Sequence, residues 1–304
     1  MIGIFDSGNG GLSVFREIYK LLPGAKYVYY GDNANCPYGE KEPSFIRKRA
    51  REITEFLIGK GAEIIVVACN TATGAAITDL RARYSDPDIP EVRKRVLELS
   101  GGRQDHILFI GMEPAIKQAV EESRNGSIGV LATEGTLNGA KYLDSKGKFG
   151  KNVTITEQVG QGWVELVEKG RFSGEEVSDT VKEGLMPLIN KKVDTIVLGC
   201  THYPFLMETI RKIAGPEVMI INPAPAVARH LIYMMVQEHI LNEHDATEAL
   251  KRLIMLSEMA SEGKADTIPD EADKDANPDI SLYSSDNGTA LHHLFKIIFP
   301  GYSK

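Results

Sequence analysis

Glu63-Ile64-Ile65-Val66-Val67-Ala68-Cys69-Asn70-Thr71 is answered later in the chain by Asp194-Thr195-Ile196-Val197-Leu198-Gly199-Cys200-Thr201-His202. Each stretch runs acid, apolar run, small residue, cysteine, then polar groups. The apolar runs are short and rich in β-branched residues, the pattern of a strand buried on both faces. Each cysteine is therefore predicted at the carboxyl end of a strand, where open α/β sheets place their ligands. Ile2-Gly3-Ile4-Phe5-Asp6-Ser7 is echoed in the same way by Ile128-Gly129-Val130-Leu131-Ala132-Thr133. Cys69 and Cys200 lie 131 positions apart, Ile2 and Ile128 lie 126 apart. Offsets that close predict a duplicated αβ unit rather than two chance likenesses between strand–turn segments.

Strand and helix alternate along the chain. Strands are predicted over 2–5, 27–30, the run ending at Cys69, 107–110 and the run ending at Cys200, and helices over 12–22, 44–60, 71–84 and 226–241. Such alternation with near-continuous apolar strands is an α/β pattern of parallel sheets covered by helices. Residues 85–105 break the rhythm and read as an insertion. Residues 258–279 are acidic, carry Gly263, Pro269 and Pro278, and read as a mobile loop without a core of its own. An edge strand over 280–283 and a last helix over 290–298 complete the chain. The expected division is a first domain from 1–111 plus 223–304 and a second from 112–222.

With 304 residues, 42% of them hydrophobic, the chain is long enough for two cores. A net charge of −7 gives no support to nucleic-acid binding as the main task. The basic cluster Arg47-Lys48-Arg49-Arg51 is flanked by Glu42, Glu52 and Glu55 and reads as a solvated helix face. No stretch approaches the ~20 apolar residues of a membrane span. The amino terminus opens on an apparent strand with no basic leader, and three cysteines are too few for a disulfide framework, so a reducing cytoplasm is expected. The histidines and cysteines lack zinc spacing, so no metal is expected.

A cysteine that ends a strand and opens a helix has its thiolate favoured by exposed N–H groups, and its pKa is predicted to fall. Asn70-Thr71 are placed to cap the first such helix and Thr201 the second, with Pro204 in its first turn. A single strand-end cysteine is often just a buried small residue. Two at equivalent places, each followed by hydrogen-bonding groups, point to paired acid/base chemistry. Asp6 ends the first strand and is placed to accept a proton or orient Cys69, and His202 is placed to do the same for Cys200. The turn Gly8-Asn9-Gly10-Gly11 is shaped like an anion-binding nest, but lacks the spacing of a nucleotide motif. Inversion of a carbon stereocentre needs a base on one face and an acid on the other, and a duplicated fold supplies opposed groups.

Four segments resemble those of the glutamate racemases, in the cofactor-independent aspartate/glutamate racemase superfamily. They are Ile4-Phe5-Asp6-Ser7-Gly8-Asn9-Gly10-Gly11-Leu12, Gly31-Asp32 with Cys36-Pro37-Tyr38-Gly39, Ala68-Cys69-Asn70-Thr71-Ala72, and Gly199-Cys200-Thr201-His202-Tyr203-Pro204. Glu113-Pro114-Ala115 and Thr133-Glu134-Gly135-Thr136 match more weakly. The aspartate-racemase branch usually carries glutamate at the position of His202. The resemblance implies two pseudo-symmetric flavodoxin-like domains with the active site in the cleft between them. It implies interconversion of L- and D-glutamate, supplying D-glutamate for bacterial peptidoglycan, without a cofactor or metal. Carried over by position, Cys69 and Cys200 transfer protons, assisted by Asp6, His202 and Glu168. Asp6, Ser7, Tyr38, Gly39, Asn70, Thr71, Thr133, Thr136, Thr201 and His202 would bind substrate. Glutamate is the small-molecule partner implied, with a homodimer as an allowed assembly and neither nucleic acid nor membrane. The segment Gly160-Gln161-Gly162-Trp163 departs from the family, which usually has Cys-Pro ahead of this apolar run.

Two other readings stay open at this level. One keeps the superfamily but changes the substrate to aspartate, a hydantoin or maleate. The other keeps the fold as a non-catalytic binding protein, against which both cysteines argue.

Overall fold

A computed structural model describes residues 1–261, 279–300 and 302. The chain begins β1 (Ile2–Asp6), α1 (Leu12–Leu21), β2 (Tyr27–Gly31), α2 (Pro43–Gly59), β3 (Ile64–Val67), α3 (Asn70–Tyr84), α4 (Pro90–Ser100) and β4 (Leu108–Gly111). It continues α5 (Ile116–Glu122), β5 (Ser127–Ala132), α6 (Glu134–Leu137), α7 (Ala140–Phe149), β6 (Thr154–Val159), α8 (Trp163–Glu168) and α9 (Glu175–Asn190). Then come β7 (Thr195–Leu198), α10 (Met207–Ala214), β8 (Met219–Ile221), α11 (Ala224–Gln237), α12 (Glu243–Ser261), β9 (Ile280–Ser284) and α13 (Thr289–Ile298).

Two parallel sheets result, ordered β4-β3-β1-β2-β9 and β6-β5-β7-β8. Read from the other edge, the second sheet repeats the first four strands of the first in the same spatial order. The register repeats too. Ile2 pairs with Ile64 in the first sheet, and Ile128 pairs with Thr195 in the second. Those partners are 126 and 131 positions removed from their counterparts, the offsets found in the sequence echoes. The fold is thus α/β with two pseudo-symmetric lobes.

Successive strand residues face opposite sides of a sheet, so each lobe has two apolar layers. Ile2, Ile4, Tyr27, Tyr29, Ile64 and Val66 pack under α1, α11 and α13, while Phe5, Val28, Ile65 and Val67 pack under α2 and α3. In the second lobe Leu131, Ile196 and Leu198 pack under α8 and α9, and Ile128, Val130 and Val197 face α5 and α7. With both faces dry, the carboxyl ends of the strands are where polar groups collect.

The segment 85–105, expected as an insertion, carries α4, which buries Val96 in the same core as Leu57 and Ala76. Two expectations need correction. Helix α12 runs to Ser261, so the expected loop over 258–279 begins as helix, and its portion 262–278 lies outside the described residues. The basic cluster on α2 is only partly solvated. Lys48 is exposed, but Arg49 forms a two-bond ion pair with buried Asp32, and Arg51 does so with Asp79.

Candidate active site

The carboxyl ends of the two sheets meet across one chamber. Ser7, Tyr38, Gly39, Cys69, Asn70 and Thr71 line it from the first lobe, and Thr133, Thr136, Cys200, Thr201 and His202 from the second. Asp6 and Glu168 stand directly behind this lining. As it stands the chamber is narrow, with room for about one water molecule. No lysine or arginine is among the lining residues.

Cys69 caps α3 itself, its Sγ accepting the amide of Ala72 at 3.4 Å, so the thiol takes the place expected of Asn70-Thr71. Its sulfur also lies 3.7 Å from Ser7 Oγ. The expected fall in pKa does not occur in this closed site. Burial pushes the Cys69 thiol up to about 12, helped by the nearby Asp6 carboxylate and opposed by the Ala72 amide and Ser7. Asp6 does not hydrogen-bond the thiol. Its carboxylate accepts from the Gly8 amide at 2.9 Å and, across the cleft, from Thr201 Oγ1 at 3.2 Å. Burial raises the Asp6 pKa even though His202 and these donors pull it down.

The second thiol has a different setting. Cys200 is not a helix cap: a 3-10 turn, Tyr203–Leu206, separates it from α10, with Pro204 in the first turn as expected. Thr201 caps nothing, because its hydroxyl goes to Asp6. Cys200 Sγ lies 3.6 Å from His202 Nδ1, and His202 Nε2 lies 2.6 Å from Glu168 Oε1. Although burial disfavours the imidazolium, contacts with Cys200, Cys36 and Glu168 together raise the His202 pKa well above its ordinary value. Glu168 resists its own burial through His202, Asn9 and Asn33, and its pKa is lowered. A charged Glu168–His202 pair is the consequence.

Cys36, Glu168 and His202 bring one sulfur, one oxygen and one nitrogen within 4.8 Å of one another. Sequence spacing gave no hint of this set. At 2.6 Å, the carboxylate and imidazole are at hydrogen-bond distance. Two ligands on one zinc, each about 2.0–2.1 Å from the ion in tetrahedral array, stand farther apart than that. The arrangement is that of a hydrogen-bonded relay.

Hydroxyls close the far side. Thr71, Thr133 and Thr136 form a triangle with sides of 3.0, 3.1 and 3.0 Å that joins α3 to the turn after β5. Tyr38 points its hydroxyl to Asp32, which Arg49 grips through two bonds, so the Tyr38-Gly39 turn is anchored from behind. Asn70 has a buried side-chain Nδ2 with no partner among the described residues. A donor left over beside a polar chamber fits a ligand oxygen.

The candidate site residues come together here, eleven in the lining with Asp6 and Glu168 behind it, whereas Glu113 pairs with Lys141 and Pro114 lines a separate cavity. Sequence reasoning missed Asn33 and the detailed part of Asn9, and it could not have found them. Asn9 meets Glu168 across 159 positions and Asn33 across 135, contacts that no local pattern encodes. In the turn Gly8–Gly11 the Asn9 amide donates to a carboxylate of the chain itself, Glu168, at 2.7 Å, while the Gly8 amide goes to Asp6. Trp163, in the departing segment, is fully buried against Tyr203 with ring centres 4.8 Å apart, and so fills the base of α8.

A sequence model of the Asp/Glu/Hydantoin racemase family matches residues 106–231. The glutamate racemase of Methylococcus capsulatus is 45% identical over 230 residues, covering 76% of this chain and 77% of that one. The glutamate racemase of Stutzerimonas stutzeri is 40% identical over 247 residues, covering 81% and 86%. The crystal structure of the Francisella tularensis glutamate racemase in complex with D-glutamate superposes with a TM-score of 0.69 at 25% identity, covering 100% of this chain and 94% of that one. On identity over this span, joined to a fold in which two strand-end thiols face one chamber, the chain belongs to the glutamate racemase family.

Proposed function

We propose that the protein interconverts L- and D-glutamate by two-base proton transfer between Cys69 and Cys200. The observation that carries this reading is the placement of the two thiols: they sit at equivalent strand ends of two pseudo-symmetric lobes and line the same chamber. In one direction a thiolate removes the α-proton from one face while the opposite thiol delivers a proton to the other. The roles reverse for the other enantiomer. His202, charged and against Cys200, is placed to exchange a proton with that sulfur, and Ser7 and the Ala72 amide orient Cys69. Without a cationic side chain in the lining, the substrate carboxylates rest on N–H and hydroxyl donors: Asn70, Thr71, Thr133, Thr136 and Thr201.

The proton transfers are assigned entirely to protein groups, so the reaction needs no cofactor or metal. D-glutamate of this origin would serve peptidoglycan synthesis in the cytoplasm, a setting that suits three free cysteines. Among the described residues no helix is long and apolar enough to cross a membrane. The test is circular dichroism on each glutamate enantiomer in deuterated water, with wild type, Cys69→Ala and Cys200→Ala. Wild type is expected to racemise both enantiomers and introduce α-deuterium. Full turnover in both alanine variants would discard the proposal.

A further inference from the structure

Glu168 belongs to α8 of the second lobe, yet its carboxylate is held by the first. Asn9 donates to it twice, from its amide at 2.7 Å and from Nδ2 at 2.6 Å. Asn33 Nδ2 lies 3.2 Å from Oε2 and also donates to Asn9 Oδ1 at 2.9 Å. Asn33 is in turn fixed by Ser284 Oγ, which donates to its Oδ1 at 2.9 Å from the end of β9. The backbone comes in equally close, since a Cβ on Gly8 would collide with Glu168 Oε1. An ordered chain of hydrogen bonds thus runs from β9 through Asn33, Asn9 and Glu168 to His202, which abuts Cys200. Neither asparagine is among the residues that line the chamber.

We propose that Asn9 and Asn33 are positioning residues that lock Glu168 onto His202, so that the proton-transfer group of the second lobe is complete only when the first lobe closes on it. The size of the chamber makes closure relevant. With room for about one water as it stands, the chamber has to widen to hold an amino acid such as glutamate, and its walls come from both lobes. Parting withdraws the asparagine donors and leaves Glu168 with His202 alone in wetter surroundings. Closure returns three asparagine donors to the carboxylate that the imidazole already holds, with Cys36 Sγ 3.8 Å away. The device couples substrate enclosure to readiness of the Cys200 side, and it rests on the racemase reading only for its kinetic consequences.

The experiment compares Asn9→Ala, Asn33→Ala, Glu168→Gln and the double variant Asn9→Ala/Glu168→Gln with wild type. Two readouts are used: glutamate racemisation, and titration of the His202 ring by NMR in the resting protein. Groups facing His202 are Cys200, Cys36, Glu168, Asp6 and Tyr203, and the asparagine variants leave all five in place. Each asparagine variant is expected to lose about tenfold in kcat with KM within about threefold. Adding Asn9→Ala to Glu168→Gln is expected to cost nothing further, the signature of residues acting through one another. The His202 pKa should fall in Asn9→Ala, and likewise in Glu168→Gln, where the carboxylate that raises it is gone. Multiplying losses, or a His202 titration unmoved by both asparagine changes, would overturn the proposal. Asn33→Ala, at a partly exposed position, carries the comparison if Asn9→Ala does not fold. Should wild type fail to racemise glutamate, the racemase reading falls, and the titration still decides the positioning.

Discussion

Gly135 of the second lobe meets Gly39 of the first backbone to backbone: a Cβ on Gly135 would stand 2.8 Å from the Gly39 carbonyl oxygen. A Cβ on Gly39 would in turn stand 2.8 Å from the Thr133 Cβ. Gly135 lies in α6, where alanine is otherwise the better residue. The conflict in Gly135→Ala is therefore with closure and not with folding. The variant is expected to keep its melting temperature within a few degrees, because the contact lies outside the apolar layers of both lobes. Its kcat/KM for glutamate should fall about tenfold or more, as misplacement by a fraction of an ångström at closure would cause. Steady-state circular dichroism measures this, and unchanged kinetics would mean that the lobes do not close on this contact.

Asp6 illustrates stability given up for a site. A carboxyl whose folded pKa is raised costs stability above that pKa, and the cost vanishes as pH falls below the unfolded value of 3.8. In Asp6→Asn, the side-chain oxygen can keep the Gly8 amide while the new NH2 donates to Thr201 Oγ1. The expected result is a melting temperature at neutral pH equal to or above wild type, with the difference closing in acid, and at least a tenfold loss in kcat. Melting curves across pH, taken with rates, check both halves. A large drop in stability at neutral pH would contradict the sign.

Asp32 has the opposite sign. Burial works against its charge, but Arg49, Tyr38 and Asn35 outweigh it and hold the Asp32 carboxyl below its usual pKa. A lowered folded pKa contributes stability that is present above the unfolded value, near 3.8, and is lost as pH falls through the folded one. Asp32→Asn should therefore cost about 2 kcal/mol at neutral pH, a figure discounted because the Arg49 side chain is 20% exposed. The gap to wild type should narrow below about pH 4. Denaturant unfolding at neutral and acidic pH is the measurement.

How much of this was legible in the chain follows from the range over which each feature is encoded. The strands β3 and β7 and their terminal cysteines were readable because a doubly buried strand is a local run of β-branched residues. The duplication was readable because register copies offset: Ile2 with Ile64 and Ile128 with Thr195. The state of Cys69 was not. Helix-opening position predicts a lowered pKa, whereas the dry chamber raises it, and burial of that degree is set by the lobe opposite. Thr201 was misjudged for the same reason. From its neighbours it is a cap, but across the cleft the Asp6 carboxylate offers its hydroxyl a better acceptor. Glu168 entered through family likeness alone, and Asn9 with Asn33 became visible only in three dimensions.

The hydroxyl triangle separates binding from chemistry. In Thr136→Val the shape is kept, and Thr71 and Thr133 still share their 3.0 Å contact, so no buried hydroxyl is orphaned. Stability should change by no more than about 1 kcal/mol. If the triangle holds a substrate carboxylate through the whole reaction, its loss weakens ground state and transition state alike. KM should then rise about fivefold, the equivalent of about one hydrogen bond, with kcat nearly unchanged. Cys200→Ser should behave oppositely, with KM little altered and kcat reduced by about a hundredfold or more, because a serine hydroxyl is far less acidic than a thiol and supplies almost no anion to act as base. Kinetics on both enantiomers distinguish the two patterns. A Thr136→Val enzyme that loses kcat at constant KM would move this hydroxyl from holding the substrate to stabilising the carbanion.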